Sequence, residues 1–258
     1  MPNLEARPYV LSETNWKSVQ ETDFDVAVLP WGATEAHNYH LPYATDNYQA
    51  DHISIESARL AWNEGAKIIV LPCVPFGVNT GQMDIPLCIN MNPSTQLAVL
   101  EDVAEVLDRA EIEKLVIFNG HGGNHFKQMI RELALNYPEL FVCAVNWYES
   151  IDAEQFFTDP GNHAGALETS LMMSIAPELV LPMDQAGSGD AKHFRIAAFQ
   201  EGWATAQREW TKVTADTGVG NPAGATAEKG KAYFNACCQK ISRFFVELAN
   251  ADIDDLYV

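Results

Sequence analysis

Carboxylate and imidazole side chains cluster in one segment near the start of the chain, between residues 31 and 46. Glu35 and His37 are two residues apart, and Asp46 follows nine residues after His37. In an extended segment, a spacing of two places both side chains on the same side of the backbone. Each residue alone is typical of a solvated loop, but the three together are sufficient to begin a metal site.

A second polar cluster occupies residues 119–124, Asn-Gly-His-Gly-Gly-Asn, at the end of another apolar run. Three glycines around His121 predict close backbone approach or positive φ, with N–H groups free to face an anion. Gly122 and Gly123 are therefore candidates for contacts with a substrate. Taken alone, the segment is also typical of a plain strand-to-helix turn that Asn124 caps.

A third cluster contains His163 and Glu168, just before an apolar helical run. Residues five apart are separated by about 140° around a regular helix, so the two side chains cannot share a face. If both serve one site, His163 lies on the loop before the helix and Glu168 lies in its first turns. The Asp-Pro-Gly sequence at 159–161 favours a boundary there. The alternative is that His163 only caps the helix.

The three clusters together offer oxygen and imidazole ligands without a thiolate. The candidate ligands are Glu35, His37, Asp46, His121 and Glu168. Such a set suits Zn²⁺, Mn²⁺ or Fe²⁺. It exceeds what one tetrahedral zinc needs, so we predict two divalent ions about 3.5 Å apart, with a bridging carboxylate and a bridging water. That water would be a hydroxide near neutral pH, which indicates hydrolysis of a carbonyl or amidine carbon.

Alternating apolar runs and helical patterns must position these clusters. Strands are predicted at about 25–30, 67–72, 114–119 and 140–146. Helices are predicted within 8–20, capped by Ser12 or Thr14, from Asp46 to Gly65, from Asn92 to Arg109, and at about 125–136 and 225–248. Sites in such α/β sheets lie at the carboxyl ends of the strands, where the first two clusters fall. We predict one domain over residues 1–258.

Composition restricts the class of partner. Acidic residues number 35 against 16 basic ones, a net charge of −19 that repels nucleic acid and anionic membrane surfaces. The five cysteines show no metal-ligand spacing and are predicted to be free thiols. We see neither an apolar leader segment nor a membrane-spanning run. The expected protein is cytoplasmic and acts on a small molecule.

A compact basic group, Lys192, His193 and Arg195, lies in a glycine-rich and polar region at 183–223. It is either a solvated surface loop or a set of contacts to a substrate phosphate, and the sequence favours neither. Substrate choice is expected to depend on this region and on the irregular loop at 73–92.

The three clusters together resemble the creatininase (creatinine amidohydrolase) family. The matching segments are Trp-Gly-Ala-Thr-Glu-Ala-His at 31–37, Thr-Asp at 45–46, 119–124 and His-Ala-Gly-Ala-Leu-Glu-Thr-Ser at 163–170. The resemblance implies a three-layer α/β/α fold with a mostly parallel central sheet, a binuclear metal centre and a homohexamer. It also implies an amidohydrolase of EC 3.5 type, in which a metal-bound water attacks a cyclic amide or formamide.

Carried over by position, the resemblance implies that Glu35, His37, Asp46 and His121 are metal ligands. Asp46 would be the bridging carboxylate, and His163 would be the catalytic histidine that transfers the proton.

One departure from the family pattern follows His121. True creatininases continue with Tyr-Glu-Asn, and that glutamate is a metal ligand, whereas Gly122 and Gly123 stand here. Creatinine is therefore not the expected substrate, and Glu168 is the candidate for the missing ligand. The double glycine is shared with formamidopyrimidine-nucleotide deformylases and peptide-processing members.

The leading hypothesis is metal-dependent hydrolysis of a non-peptide C–N bond in a small cyclic or formylated substrate. One alternative is a deformylase of a phosphorylated formamidopyrimidine-type substrate, with Lys192, His193 and Arg195 on the phosphate. Another is a non-catalytic metal- or nucleotide-binding member of the family. His163 discriminates between enzyme and binding protein, because a binding protein needs no proton carrier there.

Overall fold

A four-stranded sheet lies at the centre of the protein, whose computed structural model describes residues 7–258. The strands are β1 Val26–Trp31, β2 Ile68–Val70, β3 Lys114–Asn119 and β4 Phe141–Asn146. Their order is β2-β1-β3-β4, and every neighbouring pair is parallel. The central strands β1 and β3 are buried throughout, as expected of strands covered on both faces. The predicted parallel sheet is confirmed.

Eight α-helices accompany the sheet in the described part of the chain. They are α1 Trp16–Gln20, α2 Thr45–Asn63, α3 Pro93–Arg109, α4 Lys127–Asn136, α5 Ala166–Ile175, α6 Ala197–Gln200, α7 Trp210–Val213 and α8 Ala227–Asn250. Asn92 precedes α3 and Pro93 opens it, as predicted, since the fixed φ of proline suits a first helical position. The predicted caps of α1 were wrong, because Asn15, and not Ser12 or Thr14, accepts a hydrogen bond from the Ser18 N–H.

Helices cover both faces of the sheet and make three layers. On β1, Val26 and Val28 pack in a core formed with α2, α5 and α8, whereas Ala27 and Leu29 pack in a second core with α3 and α4. This alternation follows from the two-residue period of a strand. The α/β/α architecture predicted from the sequence is confirmed.

The long segments between these elements are mostly irregular. Residues 73–92 contain only a short 3-10 turn, Thr80–Gln82, and 183–223 contain α6, α7 and two short 3-10 turns. All five cysteines are free, as predicted. Within residues 7–258, no helix has the length and hydrophobicity needed to cross a bilayer. Residues 1–6, on which the predicted lack of a leader depends, lie outside the described residues.

Candidate metal centre

The fold brings the three polar clusters to one place. Neighbouring strands β1 and β3 pair in register up to Trp31 and Asn119, so the loops that follow them meet. Glu35 and His37 lie on the loop after β1, and His121 lies directly after β3. Asp46 is in the first turn of α2, and Glu168 is in the first turn of α5. His163 lies on the loop before α5, as predicted.

Asp46 occupies the middle of the cluster. Its Oδ1 lies 3.0 Å from His37 Nε2, and its Oδ2 lies 2.9 Å from His121 Nδ1. The same His121 nitrogen is 3.0 Å from Glu35 Oε1. One carboxylate thus contacts both imidazoles, which is the placement that a bridging ligand requires.

Divalent metal ions fit this donor set. Three overlapping groups have ligand atoms within 4.8 Å of one another, namely Glu35-His37-His163, Glu35-Asp46-His121 and His37-Asp46-Glu168. The Oδ2 atom of Asp46 is buried, and its contact with His121 lacks hydrogen-bond geometry, so it has no hydrogen-bond partner. Because a buried charged oxygen without a donor is unfavourable, a cation is the natural partner.

Each of the three histidines in the cluster has one ring nitrogen held by a backbone carbonyl. His37 Nδ1 is 3.1 Å from the Glu35 oxygen, His121 Nε2 is 3.2 Å from the Val78 oxygen, and His163 Nε2 is 2.9 Å from the Ala36 oxygen. An outer N–H that donates to a carbonyl fixes the tautomer. The inner nitrogen of each ring therefore faces the carboxylates, and for His163 it lies 3.7 Å from Glu35 Oε1.

Glu35 is oriented by a residue that the sequence analysis missed. Gln82, in the short turn of the 73–92 loop, donates a hydrogen bond from its side-chain amide to Glu35 Oε2. The Cys88 thiol donates to the other end of that amide at 3.4 Å. This leaves Glu35 Oε1 facing His121. A lone glutamine in an irregular loop carries no pattern that could have identified it.

Charges within the cluster favour protonation of His37 and His121 in the metal-free protein. Burial lowers the pKa of His37, but the neighbouring Asp46 carboxylate outweighs it and raises the pKa to about 10. Burial likewise opposes protonation of His121, and the Glu35 charge raises its pKa well above the usual value. Burial raises the pKa of the Glu168 carboxyl. Metal ions must therefore displace these protons on binding.

These shifts predict how pH affects the metal-free protein. A histidine whose folded pKa is raised stabilises fully below its unfolded value of about 6.5 and loses that stabilisation as pH rises towards 10. We expect the Tm of chelator-treated protein to fall by on the order of 5 °C between about pH 6.5 and 9.5. Differential scanning calorimetry measures this. His37→Gln should make the Tm of the metal-free protein depend less on pH. A Tm of the metal-free wild type that does not change between these pH values would contradict the prediction.

Of the two glycines that follow His121, close approach explains Gly123 but not Gly122. Gly120, Gly122 and Gly123 all lack positive φ. A Cβ atom on Gly123 would lie 2.4 Å from both the Val78 oxygen and His121 Nε2, whereas one on Gly122 would meet nothing within 4 Å. A glutamate at the place of Gly123, which the family resemblance implies, does not fit this backbone, and the third group instead contains Glu168 beside Asp46.

A matched pair of variants tests this close approach. Gly123→Ala should lower Tm by roughly 2–10 °C and weaken metal binding, because overpacking against a backbone oxygen typically costs about 1–3 kcal/mol. Gly122→Ala, next to it, should change both quantities little. Thermal unfolding and metal analysis of the two variants measure these effects. Equal effects of the two substitutions would show that residue 123 has no less room for a side chain than residue 122.

Neither Asn124 nor His163 caps a helix. Asn124 does not cap α4; its side-chain oxygen accepts from the Val78 N–H at 3.1 Å and from Gln96 Nε2 at 2.8 Å. His163 does not cap α5 either, since Gly165 is the residue that precedes the helix and the His163 ring contacts Ala36 instead.

A cavity of about 440 Å³ opens onto the cluster. Its buried lining includes Glu35, Asp46, His121, His163 and Trp210. Its half-buried or exposed lining includes Gly122, Gly123, Glu168, Gln207 and Arg208. Both glycines therefore line the cavity, and their contact with a substrate stays a prediction. Arg208 and Trp210 were missed, because the segment that carries them has no motif.

The basic group at 192–195 lies apart from this cavity. Lys192, His193 and Arg195 are exposed, and the first two line a second cavity of about 590 Å³. The two cavities share Gln207 and Arg208 in their linings. The basic group therefore does not line the cavity that contains the candidate metal ligands.

Comparison with known proteins supports the resemblance. The family model described as "Creatinine amidohydrolase" matches residues 12–245. The mycofactocin precursor peptide peptidase of Mycolicibacterium smegmatis is 26% identical over 230 residues, which cover 85% of each chain. The crystal structure of a provisionally named creatinine amidohydrolase from Bacteroides fragilis is 45% identical, with a TM-score of 0.91 over 97% of this chain and 99% of that one.

More distant structures share the fold. A mutant creatininase described as Zn-Zn type and another structure described as "Creatininase Mn" are each 22% identical, with TM-scores of 0.76. Each alignment covers 95% of this chain and 100% of the other. The chain therefore belongs to the creatininase family of hydrolases.

Proposed function

We propose that this chain is a metal-dependent amidohydrolase that cleaves a non-peptide C–N bond in a small cyclic amide or formamide. The observation that supports this most is the buried cluster in which Asp46 contacts both His37 and His121 at the end of a cavity. The Zn-Zn description of one creatininase structure supports a pair of divalent ions, and the Mn description of another supports manganese as an alternative to zinc. A cavity of about 440 Å³ has the size of a typical small-molecule site.

The ligand set assigns the metal ions a defined chemistry. Zn²⁺ or Mn²⁺ held by Glu35, His37, Asp46, His121 and Glu168 would polarise a carbonyl group and make water a nucleophile near neutral pH. The protein contributes orientation, because Gln82 fixes Glu35 and backbone carbonyls fix the imidazole rings.

His163 would move the proton. Amide hydrolysis requires a proton on the leaving nitrogen, since an amide anion is a very poor leaving group. The ligands cannot supply it while their lone pairs bind cations. His163 has its Nε2–H held by the Ala36 carbonyl, and the ring edge packs against Trp210 with centroids 5.3 Å apart. Nδ1 can therefore accept a proton from the attacking water and return it to the leaving nitrogen.

A peptide substrate is the second candidate. It is favoured by the second cavity, which shares Gln207 and Arg208 with the first and offers room for a longer molecule. The relative named as a precursor peptide peptidase is compatible with it. The phosphorylated formamidopyrimidine-type substrate would need Lys192 or His193 to be reached through that second cavity. The homohexamer, the single domain and the cytoplasmic location stay predictions of the sequence.

A substrate panel tests the proposal. Zinc- or manganese-loaded protein would be assayed on creatinine, N-formyl compounds, lactams and short peptides, with chelator-treated protein as control. We expect a formamide or cyclic amide to be hydrolysed, with activity lost on chelation and restored by metal. Preferred cleavage of peptides would favour the second candidate, and no turnover of any amide would favour a binding protein.

A further inference from the structure

Arg208 differs from the other arginines of residues 7–258. Each of the others is either paired with a glutamate or glutamine side chain or exposed to solvent. Arg208 is half-buried, and within the described chain its guanidinium has no carboxylate at ion-pair distance and donates no hydrogen bond to a protein group. A charged fork of five N–H donors is thus partly removed from bulk water without a hydrogen-bond or ion-pair partner in the described chain.

Such an arrangement is unfavourable in the free protein. Burial lowers the pKa of Arg208, and the negative charge of Glu35 only partly opposes this. A partly desolvated charge needs a counter-charge. Since residues 7–258 supply no counter-charge within ion-pair distance, a ligand in the cavity is the remaining source.

The backbone at Arg208 is held in place by a close contact. A Cβ atom on Gly81 would lie 2.1 Å from the Arg208 carbonyl oxygen, so only glycine allows residue 208 to pack against the Thr80–Gln82 turn. That turn also carries Gln82, which orients Glu35. The position of Arg208 is therefore tied to the metal cluster.

The side chain is held as well. The guanidinium carbon lies 4.6 Å from the centre of the Trp210 ring, a cation–π arrangement. Trp210 is fixed by a hydrogen bond of 3.0 Å from its Nε1–H to the Thr217 carbonyl. The same ring packs against His163. Arg208 is therefore pre-organised beside the residue that would transfer the proton.

Charge is distributed unevenly around the cavity. Glu35, Asp46 and Glu168 line it together with the histidines, and in the described lining Arg208 is the only arginine or lysine. A substrate with its amide at the metal cluster can thus present an anionic group to Arg208.

We propose that Arg208 determines specificity by binding a carboxylate or phosphate group of the substrate, away from the C–N bond that is cleaved. This inference rests on the proposed function, and it makes the substrate an anionic amide or formamide. The guanidinium fork matches both oxyanions, because each presents two oxygens to paired N–H donors. By binding this group, Arg208 would orient the substrate carbonyl towards the metal cluster. Arg208 itself would take no part in bond cleavage.

The test compares three formamides that differ in the charge of the group next to the amide. N-formylglycine carries a carboxylate, formamidomethylphosphonate carries a phosphate analogue, and N-formylglycinamide is the neutral control. For metal-loaded wild type, we expect kcat/KM to favour one of the anionic compounds over the neutral one by roughly 10- to 100-fold, the usual worth of charge-assisted hydrogen bonds. The preferred anion identifies carboxylate or phosphate as the group recognised.

Variants assign this preference to Arg208. Arg208→Gln should bring the ratio to within about threefold of unity, and Arg208→Lys should keep part of it, since lysine retains the charge and loses the fork. Arg243→Gln, which removes an exposed arginine of α8, should leave the ratio unchanged. A ratio near unity in wild type, or one that survives Arg208→Gln, overturns the proposal.

Binding measurements separate failure of this inference from failure of the proposed function. Isothermal titration of metal-loaded wild type and Arg208→Gln with the same compounds needs no turnover. If neither these compounds nor any amide of the substrate panel is hydrolysed, but the anionic compound binds more tightly to wild type than to Arg208→Gln, Arg208 binds anions and the amidohydrolase proposal is wrong. If hydrolysis occurs and both proteins bind all compounds equally, the role of Arg208 is wrong and the amidohydrolase proposal stands.

Discussion

Asp46→Asn is expected to abolish hydrolysis and to release metal from the protein. Asp46 contacts His37 at 3.0 Å and His121 at 2.9 Å, and both contacts depend on its charge. Substitution of residues that only hydrogen-bond to metal ligands typically lowers metal affinity about 10- to 100-fold. Loss of a central ligand should therefore weaken metal binding by more than about 100-fold. Metal content after dialysis and kcat/KM on the same preparation measure both effects.

His40 provides the control for this variant. It lies within six residues of Asp46 but outside the three ligand groups, and its Nε2 lies 2.9 Å from the Thr169 hydroxyl. Burial lowers the pKa of His40 to about 4, so it is neutral near pH 7. His40→Ala should lower stability by about 2–4 kcal/mol through the cavity it leaves, while metal is retained. Equal metal loss in both variants would make His40 a ligand and contradict the assignment.

The second large effect is expected at His163. His163→Asn should retain both metals and near wild-type substrate affinity while kcat falls by about 10²–10⁴, the usual contribution of a general acid or base. The reason is the free Nδ1, which lies 3.7 Å from Glu35 Oε1 with Nε2 held by the Ala36 carbonyl. Single-turnover kinetics and metal analysis of the one variant measure these quantities.

Each other outcome for His163 has a definite meaning. Undiminished kcat would remove His163 from the mechanism. Loss of metal would make it a ligand, which the group Glu35-His37-His163 allows geometrically. A rise in KM with unchanged kcat would indicate substrate binding alone.

Residues at strand ends were predictable because the fold depends on strong, local signals. The apolar runs at β1 and β3 are buried along their whole length, and parallel pairing brings the residues after them together. Glu35, His37 and His121 could therefore be placed from the sequence. Asp46 and Glu168 could also be placed, because each lies in the first turn of a helix with a recognisable apolar pattern.

The contributions of the loops could not be predicted. Gln82, Arg208 and Trp210 reach the cavity through contacts between the 73–92 and 183–223 segments, which have no periodicity. The basic residues at 192–195 form the more conspicuous sequence pattern, yet they lie beside a second cavity or in solvent. Charge clusters in irregular segments indicate little about position, because nothing local fixes the path of the backbone.

Metal stoichiometry tests the central claim most directly. Protein stripped with a chelator, reconstituted with zinc and freed of excess metal would be analysed by mass spectrometry for ions per chain. The cluster of Glu35, His37, Asp46, His121 and Glu168 predicts about two ions in wild type and about one in Glu168→Gln. At most one tightly bound ion in the wild type would contradict the binuclear centre, and two ions in Glu168→Gln would exclude Glu168 as a ligand.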